Sequence, residues 1–252
     1  MVTIDLNADL GESFGSYKLG NDEEIIKYVS SVNIACGFHA ADPVVINQTV
    51  KYALENNVRI GAHPSYPDLV GFGRRYMDIS FEEAKTNTIY QVGAVKAFVE
   101  AHGGKLQHVK PHGALYNKCA TDRTIAQAVA EGVYAVDKDI ILMGLVGGEL
   151  IQAGKDIGLQ TAGEAFADRA YHADGTLVDR REEGSVITDA DQAVEQILRL
   201  VKHKKVITKD GSEIPLEADS ICVHGDNIEA IKLVKYIRKT LHDADVKIAP
   251  LG

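Results

Sequence analysis

One segment type recurs five times along this chain: a short apolar run, a knot of Asp, Asn, His, Lys or Glu with Gly or Pro, then an amphipathic stretch. The copies read Asn7-Ala8-Asp9-Leu10-Gly11-Glu12, Cys36-Gly37-Phe38-His39-Ala40-Ala41-Asp42-Pro43, Gly61-Ala62-His63-Pro64-Ser65, Val109-Lys110-Pro111-His112-Gly113 and Val223-His224-Gly225-Asp226. A polar knot at the carboxyl end of successive strands is how parallel α/β sheets and barrels build one site from distant loops. The pattern therefore predicts an enzyme on a mainly parallel α/β scaffold.

Strand-like runs fall at 3–9, 32–36, 58–63, 106–111, 139–144, 159–165 and 219–224, with a weaker one at 246–248. Helix-like segments at 22–31, 43–57, 80–102, 122–136, 189–203 and 227–242 alternate with them, as βαβ units require. Asp42-Pro43 gives an N-cap followed by proline, and Ser80 with Glu83 has capping-box spacing. Asp174-Gly175 and Asp210-Gly211 read as hairpin turns on small antiparallel excursions. No compositional break divides residues 1–252, and a chain of this length with 45% hydrophobic residues can bury one α/β core, so one domain is expected.

A net charge of −9 argues against nucleic-acid or anionic-membrane partners, which need a basic field. The three cysteines have no disulfide or metal spacing, and neither a signal segment nor a bilayer-length apolar run is present. A cytoplasmic protein acting on a polar small molecule is the expectation. An anionic substrate would need local cations such as Lys110, Arg74, Arg75 or Arg169.

Strand side chains alternate, so Asp5, Asn7 and Asp9 share one face and Ile4, Leu6 and Ala8 the other. The same parity groups His108, Lys110 and His112, places Glu164 with Ala162, and pairs His224 with Cys222. In a closed barrel Asp9, His63, Lys110, His112, Glu164 and His224 converge at the carboxyl rim, with Asn7 and His39 around the same cavity. Asp5 lies deeper and reads as structural, while His102, His203 and His242 read as helix surface. The loop at 64–76 is long for a βα connection and suggests a lid, with Gly71 and Gly73 as hinges and Arg74-Arg75 as anion donors; the competing reading is a packed loop whose arginines pair with other acids. No glycine-rich nucleotide motif is present. Acid, imidazole and ammonium groups on one rim suit hydrolysis of an amide or ester. They suit equally a divalent metal whose ligands come from distant strands, since no H-E-x-x-H pair exists.

These motifs, with Gly71-Phe72-Gly73-Arg74-Arg75, Ala114-Leu115-Tyr116-Asn117 and Glu164-Ala165-Phe166-Ala167-Asp168-Arg169, resemble the LamB/YcsF family nearly end to end. Ala41 departs from the glycine expected in the family pattern. The resemblance implies a single-domain, distorted seven-stranded β/α barrel of the glycoside hydrolase/deacetylase type. It implies the A subunit of an ATP-dependent 5-oxoprolinase, opening 5-oxo-L-proline to L-glutamate with ATP hydrolysed to ADP and phosphate, together with B and C subunits. A homo-oligomer stays open, as does the subunit that holds ATP. On this reading Asp9, His63, Lys110, His112 and Glu164 carry the chemistry. Asn7, His39, Arg74, Arg75, Arg169, His224 and Asp226 bind substrate. Lys110 neutralises developing charge. The deacetylase relationship keeps a divalent metal in play, with Asp9, His39, His63 and His112 as candidates but no ligand set assigned. The alternatives are a metal-dependent, deacetylase-like hydrolase of a small polar or carbohydrate substrate, and a non-catalytic substrate-binding or scaffold subunit.

Overall fold

A computed structural model describes residues 2–223 and 228–252. Seven strands, β1 (Val2–Leu10), β2 (Ser31–Ala35), β3 (Arg59–His63), β4 (Leu106–Val109), β5 (Ile141–Leu145), β6 (Thr161–Phe166) and β9 (Ser220–Val223), pair in parallel in that order. The β1–β9 pairing closes them into a barrel. The weak run at the carboxyl end is a further parallel strand, β10 (Val246–Ile248), against the start of β1. The excursion around Asp210-Gly211 is the antiparallel pair β7 (Lys205–Ile207) and β8 (Glu213–Pro215).

Among the described residues eight α-helices accompany the strands. They are α1 (Asp22–Ile25), α2 (Pro43–Glu55), α3 (Phe81–Ala101), α4 (Gly113–Thr121), α5 (Arg123–Val136), α6 (Glu149–Ile157), α7 (Ala190–His203) and α8 (Ile228–Asp243). The Asp42 carboxylate caps α2 through Val44 N and Val45 N, and the reciprocal Ser80–Glu83 box caps α3, each cap contributing about 1 kcal/mol. No helix among the described residues is long and apolar enough to cross a membrane.

Three helical expectations need correction. The segment from Asp22 is one α turn followed by a 3-10 turn, Ile26–Tyr28, because Ser31 already belongs to β2. Helices α4 and α6 lie where the sequence pattern predicts none. The first begins on Gly113 at φ +57° and the second follows Gly148, neither with a side-chain cap, so the usual start signal is missing.

The two faces of β1 explain the barrel. Ile4, Leu6 and Ala8 are buried in the main apolar cluster with residues of the surrounding helices. Asp5, Asn7 and Asp9 instead make their hydrogen bonds and ion pairs with polar side chains of the other strands and their carboxyl ends. At the amino end the Asp5 carboxylate accepts from Ser31 (2.8 and 2.9 Å) and from Ser220. Burial raises its pKa against the pull of these hydroxyls.

Candidate active site

Above that serine layer, Asn7 donates to Glu164 Oε1 (2.9 Å) and Ser220 Oγ (2.7 Å). Asn33 Nδ2 donates to Asn7 Oδ1 (2.7 Å) and Asp9 Oδ1 (2.8 Å), while its Oδ1 faces His108 Nε2 at 2.8 Å. Because the Asn33 oxygen can only accept, His108 carries its hydrogen on Nε2. Burial pushes its pKa down to about 3, so it is neutral. Its ring occupies the space a side chain on Gly61 would need: a Cβ there would lie 2.2 Å from His108 Nε2.

Lys110 crosses this layer to the rim. Its ammonium lies 2.8 Å from Asp9 Oδ1, 2.9 Å from Glu164 Oε1, 3.2 Å from Asn7 Oδ1 and 3.4 Å from Cys222 Sγ. Burial alone would depress its pKa, but Asp9, then Cys222 and Glu164, raise it well above the usual range. Burial opposes ionisation of Asp9 too, yet His63 and Lys110 hold its carboxyl well below the usual range. Three ammonium hydrogens already face four acceptors. Lys110 therefore fixes and charges Asp9 and has no spare hydrogen for an incoming oxygen.

The histidines sit where the knots end. His63, the last residue of β3, has Nδ1 2.6 Å from the Lys110 carbonyl and Nε2 3.2 Å from Asp9 Oδ2. His112, at the N-cap of α4, has Nε2 2.9 Å from the Phe72 carbonyl and Nδ1 3.1 Å from His63 Nε2. His39 stacks on His112 with ring centroids 3.9 Å apart and planes 9° apart. Both its nitrogens are buried without a hydrogen bond to any described residue. Burial holds His39 and His112 well below the ordinary imidazole pKa, with neighbouring imidazoles adding to the effect.

These groups open onto a cavity of about 410 Å³, within the range of small-molecule sites. Asp9, His63, Lys110, His112, Arg74 and Arg169 line it, whereas Asn7 and Glu164 are buried below it and His39 behind His112. Arg74 lies over the Phe72 ring at 5.1 Å. Arg169 is buried, and its guanidinium donates to the Ser185 and Val178 carbonyls at 3.3 and 2.5 Å. Burial and then Arg180 lower its pKa to about 10. Arg75 is not brought to the cavity: it is two-thirds exposed and pairs with the buried Asp68 carboxylate. His224 and Asp226 lie outside the described residues.

Reading the residues in order missed Glu12, Tyr116, Asn117, Phe166, Leu177 and Arg180, which also line the cavity. Tyr116 stands one helical turn after His112 and was hidden with the unexpected α4. The Tyr116 hydroxyl and Glu164 Oε2 are both buried without a hydrogen bond to a described residue. Burial and the Glu164 carboxylate push the hydroxyl well above its usual pKa. No local signal distinguished Arg180, which comes from the irregular excursion after β6.

The loop at 64–76 is stitched down rather than hinged. Gly73 N donates to Asp68 O, Gly73 O accepts from Ala114 N, both at 2.9 Å, and the Phe72 carbonyl holds His112. Gly73 is at φ +64°, and a Cβ there would lie 2.3 Å from Ser65 Oγ and 2.9 Å from His39 Cβ. Glycine is required for close approach to the histidines.

A closed parallel β/α barrel with acids, imidazoles and a buried ammonium at the carboxyl ends of its strands defines the class. The LamB/YcsF family model matches residues 4–252, and the chain belongs to that family. It is 54% identical over its full length to the A subunit of 5-oxoprolinase from Clostridium beijerinckii, covering 98% of that protein. It is 51% identical to the one from Pyrococcus furiosus over the same shares of both chains. The crystal structure of a lactam utilization protein from Thermus thermophilus superimposes with a TM-score of 0.94 at 43% identity, covering 99% of this chain and all of that one.

Proposed function

We propose that this chain, folded as one domain, is the A subunit of a 5-oxoprolinase that opens the lactam of 5-oxo-L-proline to L-glutamate. The observation that carries the reading is full-length identity above 50% to relatives bearing that name. The unstrained lactam is a poor electrophile with little drive to open, so coupling to hydrolysis of ATP to ADP and phosphate, with B and C subunits, completes the proposal. Phosphorylation of the lactam oxygen would create the leaving group that makes water addition feasible.

The chemistry divides between two sets of cavity residues. Asp9 Oδ2, His63 Nε2 and His112 Nδ1 form an acceptor face, while Lys110 and Asn33 hold the other Asp9 oxygen. A water against that face donates to it and loses a proton to Asp9 or His63 as it adds to the carbonyl carbon. Arg74 and Arg180 also line the cavity and give it positive charge, which suits the substrate carboxylate. Lys110 acts by keeping Asp9 ionised and oriented, a positioning role rather than the direct oxyanion contact expected from sequence.

The test is turnover of 5-oxoproline and ATP by the chain mixed with its B and C partners, read as glutamate and phosphate. Asp9→Asn should lower kcat by about 10²- to 10⁴-fold with KM little changed. Arg74→Ala and Arg180→Ala should mainly raise KM. Full turnover by Asp9→Asn would favour a scaffold role. Activity of the chain alone on acetylated sugars would favour the deacetylase-like alternative.

A further inference from the structure

With His63 and His112 both neutral, three acceptors meet at the mouth of the barrel with no hydrogen among them. Carbonyl oxygens only accept, so the Lys110 carbonyl fixes the hydrogen of His63 on Nδ1 and the Phe72 carbonyl fixes that of His112 on Nε2. The facing atoms, His63 Nε2 and His112 Nδ1, are then both lone pairs 3.1 Å apart. Asp9 Oδ2 adds a third acceptor 3.2 Å from the same His63 nitrogen. The other Asp9 oxygen is already engaged by Lys110 and Asn33 at 2.8 Å each. Such a triangle is repulsive unless positive charge sits against it.

Asp9 and Glu164 both pair with the single ammonium of Lys110 inside the barrel. Two sides of the triangle, 3.1 and 3.2 Å, are what an ion would impose: ligands about 2.1 Å from a first-row divalent ion lie about 3.0–3.4 Å from one another in octahedral or tetrahedral geometry. Each imidazole is held by a backbone carbonyl on its far nitrogen, the outer contact that orients histidine ligands. Behind His112, His39 is stacked on its ring with both nitrogens unpartnered among the described residues, and on the cavity side Glu12 Oε1 lies 3.9 Å from His112 Nδ1. Glu12, His39 and His112 form a second donor group sharing one imidazole with the first.

We propose that Asp9, His63 and His112 hold one divalent first-row cation, with Glu12 as the donor on its open side. Two imidazole nitrogens and one carboxylate oxygen suit zinc, cobalt or manganese better than magnesium or calcium, which take mainly oxygen ligands. With these three atoms as its ligands, the ion would supply Lewis acidity to the attacking water in place of their direct contact with it. The proposal rests on donor geometry, so its outcome is independent of whether the lactam reading holds.

The test is metal binding by the full chain after stripping with a chelator. Cobalt(II) titration should saturate at one equivalent with visible ligand-field bands, and zinc(II) should displace it one for one. Asp9→Asn, His63→Gln and His112→Gln should each weaken cobalt binding by about 100-fold or more, whereas His102→Gln, on an exposed ring elsewhere, should not. On the unsubstituted chain, zinc should shift the ¹⁵N resonances of His63 Nε2 and His112 Nδ1, a readout that does not depend on any variant folding. Absence of saturable binding would overturn the proposal. So would binding unchanged in Asp9→Asn and His63→Gln, or an imidazole doubly protonated at neutral pH whose resonances ignore added metal, which would show a proton filling the triangle instead.

Discussion

At the scale of single residues, Ala41 shows how a small sequence departure can sit on a demanding backbone. It is fully buried at φ +70°, and its N–H donates to the Ser13 carbonyl at 3.1 Å. The left-handed region costs a non-glycine residue about 1–2 kcal/mol, which favours glycine. Burying its methyl returns about 0.8 kcal/mol, and glycine carries an unfolded-state entropy cost of about 0.5–1 kcal/mol. These terms nearly cancel. Ala41→Gly should therefore leave stability within about 1 kcal/mol of the parent in urea unfolding. Ala41→Val, β-branched and without room, should lose about 3 kcal/mol. A loss in Ala41→Gly as large as in Ala41→Val would show that packing of the methyl, not the backbone, governs this position.

Element by element, strands and knots were legible because two simple rules fix them. Alternation along β1 separates Asn7 and Asp9 from Leu6 and Ala8, and the knots mark where each strand ends. Parity also groups Lys110 with His112, whose neighbours then follow from closure of the barrel. What stayed hidden depends on contacts between distant segments. Helix α4 has no cap and starts on a left-handed glycine; Arg180 enters from an irregular excursion; Arg75 turns away because Asp68, seven residues earlier, holds it. The glycines at 64–76 looked like hinges because sequence shows flexibility but not proximity. Gly73→Ala separates the two meanings. Its Cβ would collide with Ser65 and His39, so a stability loss of about 2–3 kcal/mol is expected. Gly15→Ala, at φ +54° with open space around it, should lose only about 1 kcal/mol. A hinge would instead show altered turnover in Gly73→Ala with unchanged stability.

For the molecule as a whole, a polar interior ringed by an apolar shell makes stability depend on pH through its buried imidazoles. His39, His108 and His112 all have folded pKa values below the ordinary one, chiefly through burial, that of His108 near 3. The sign follows directly. Below about pH 6.5 the unfolded chain takes up protons that the folded chain refuses, so stability is full above that value and falls as the solution is acidified. Asp9, depressed in the fold, loses its contribution only as pH falls below the unfolded carboxylate value of about 3.9, and the upward shift of Asp5 has the opposite sign. Between pH 7.5 and 5.5 His108 should remove about 1 kcal/mol, with His39 and His112 acting in the same direction. Losses of this size are a sizeable fraction of the 5–15 kcal/mol typical of folded domains. Urea midpoints measured at the two pH values, with chelator present to keep metal off the rings, should therefore move downward at pH 5.5. Equal stability at both would mean that the buried imidazoles accept protons in the fold, and the neutral tautomers assigned to His108 and His112 would then have to be abandoned.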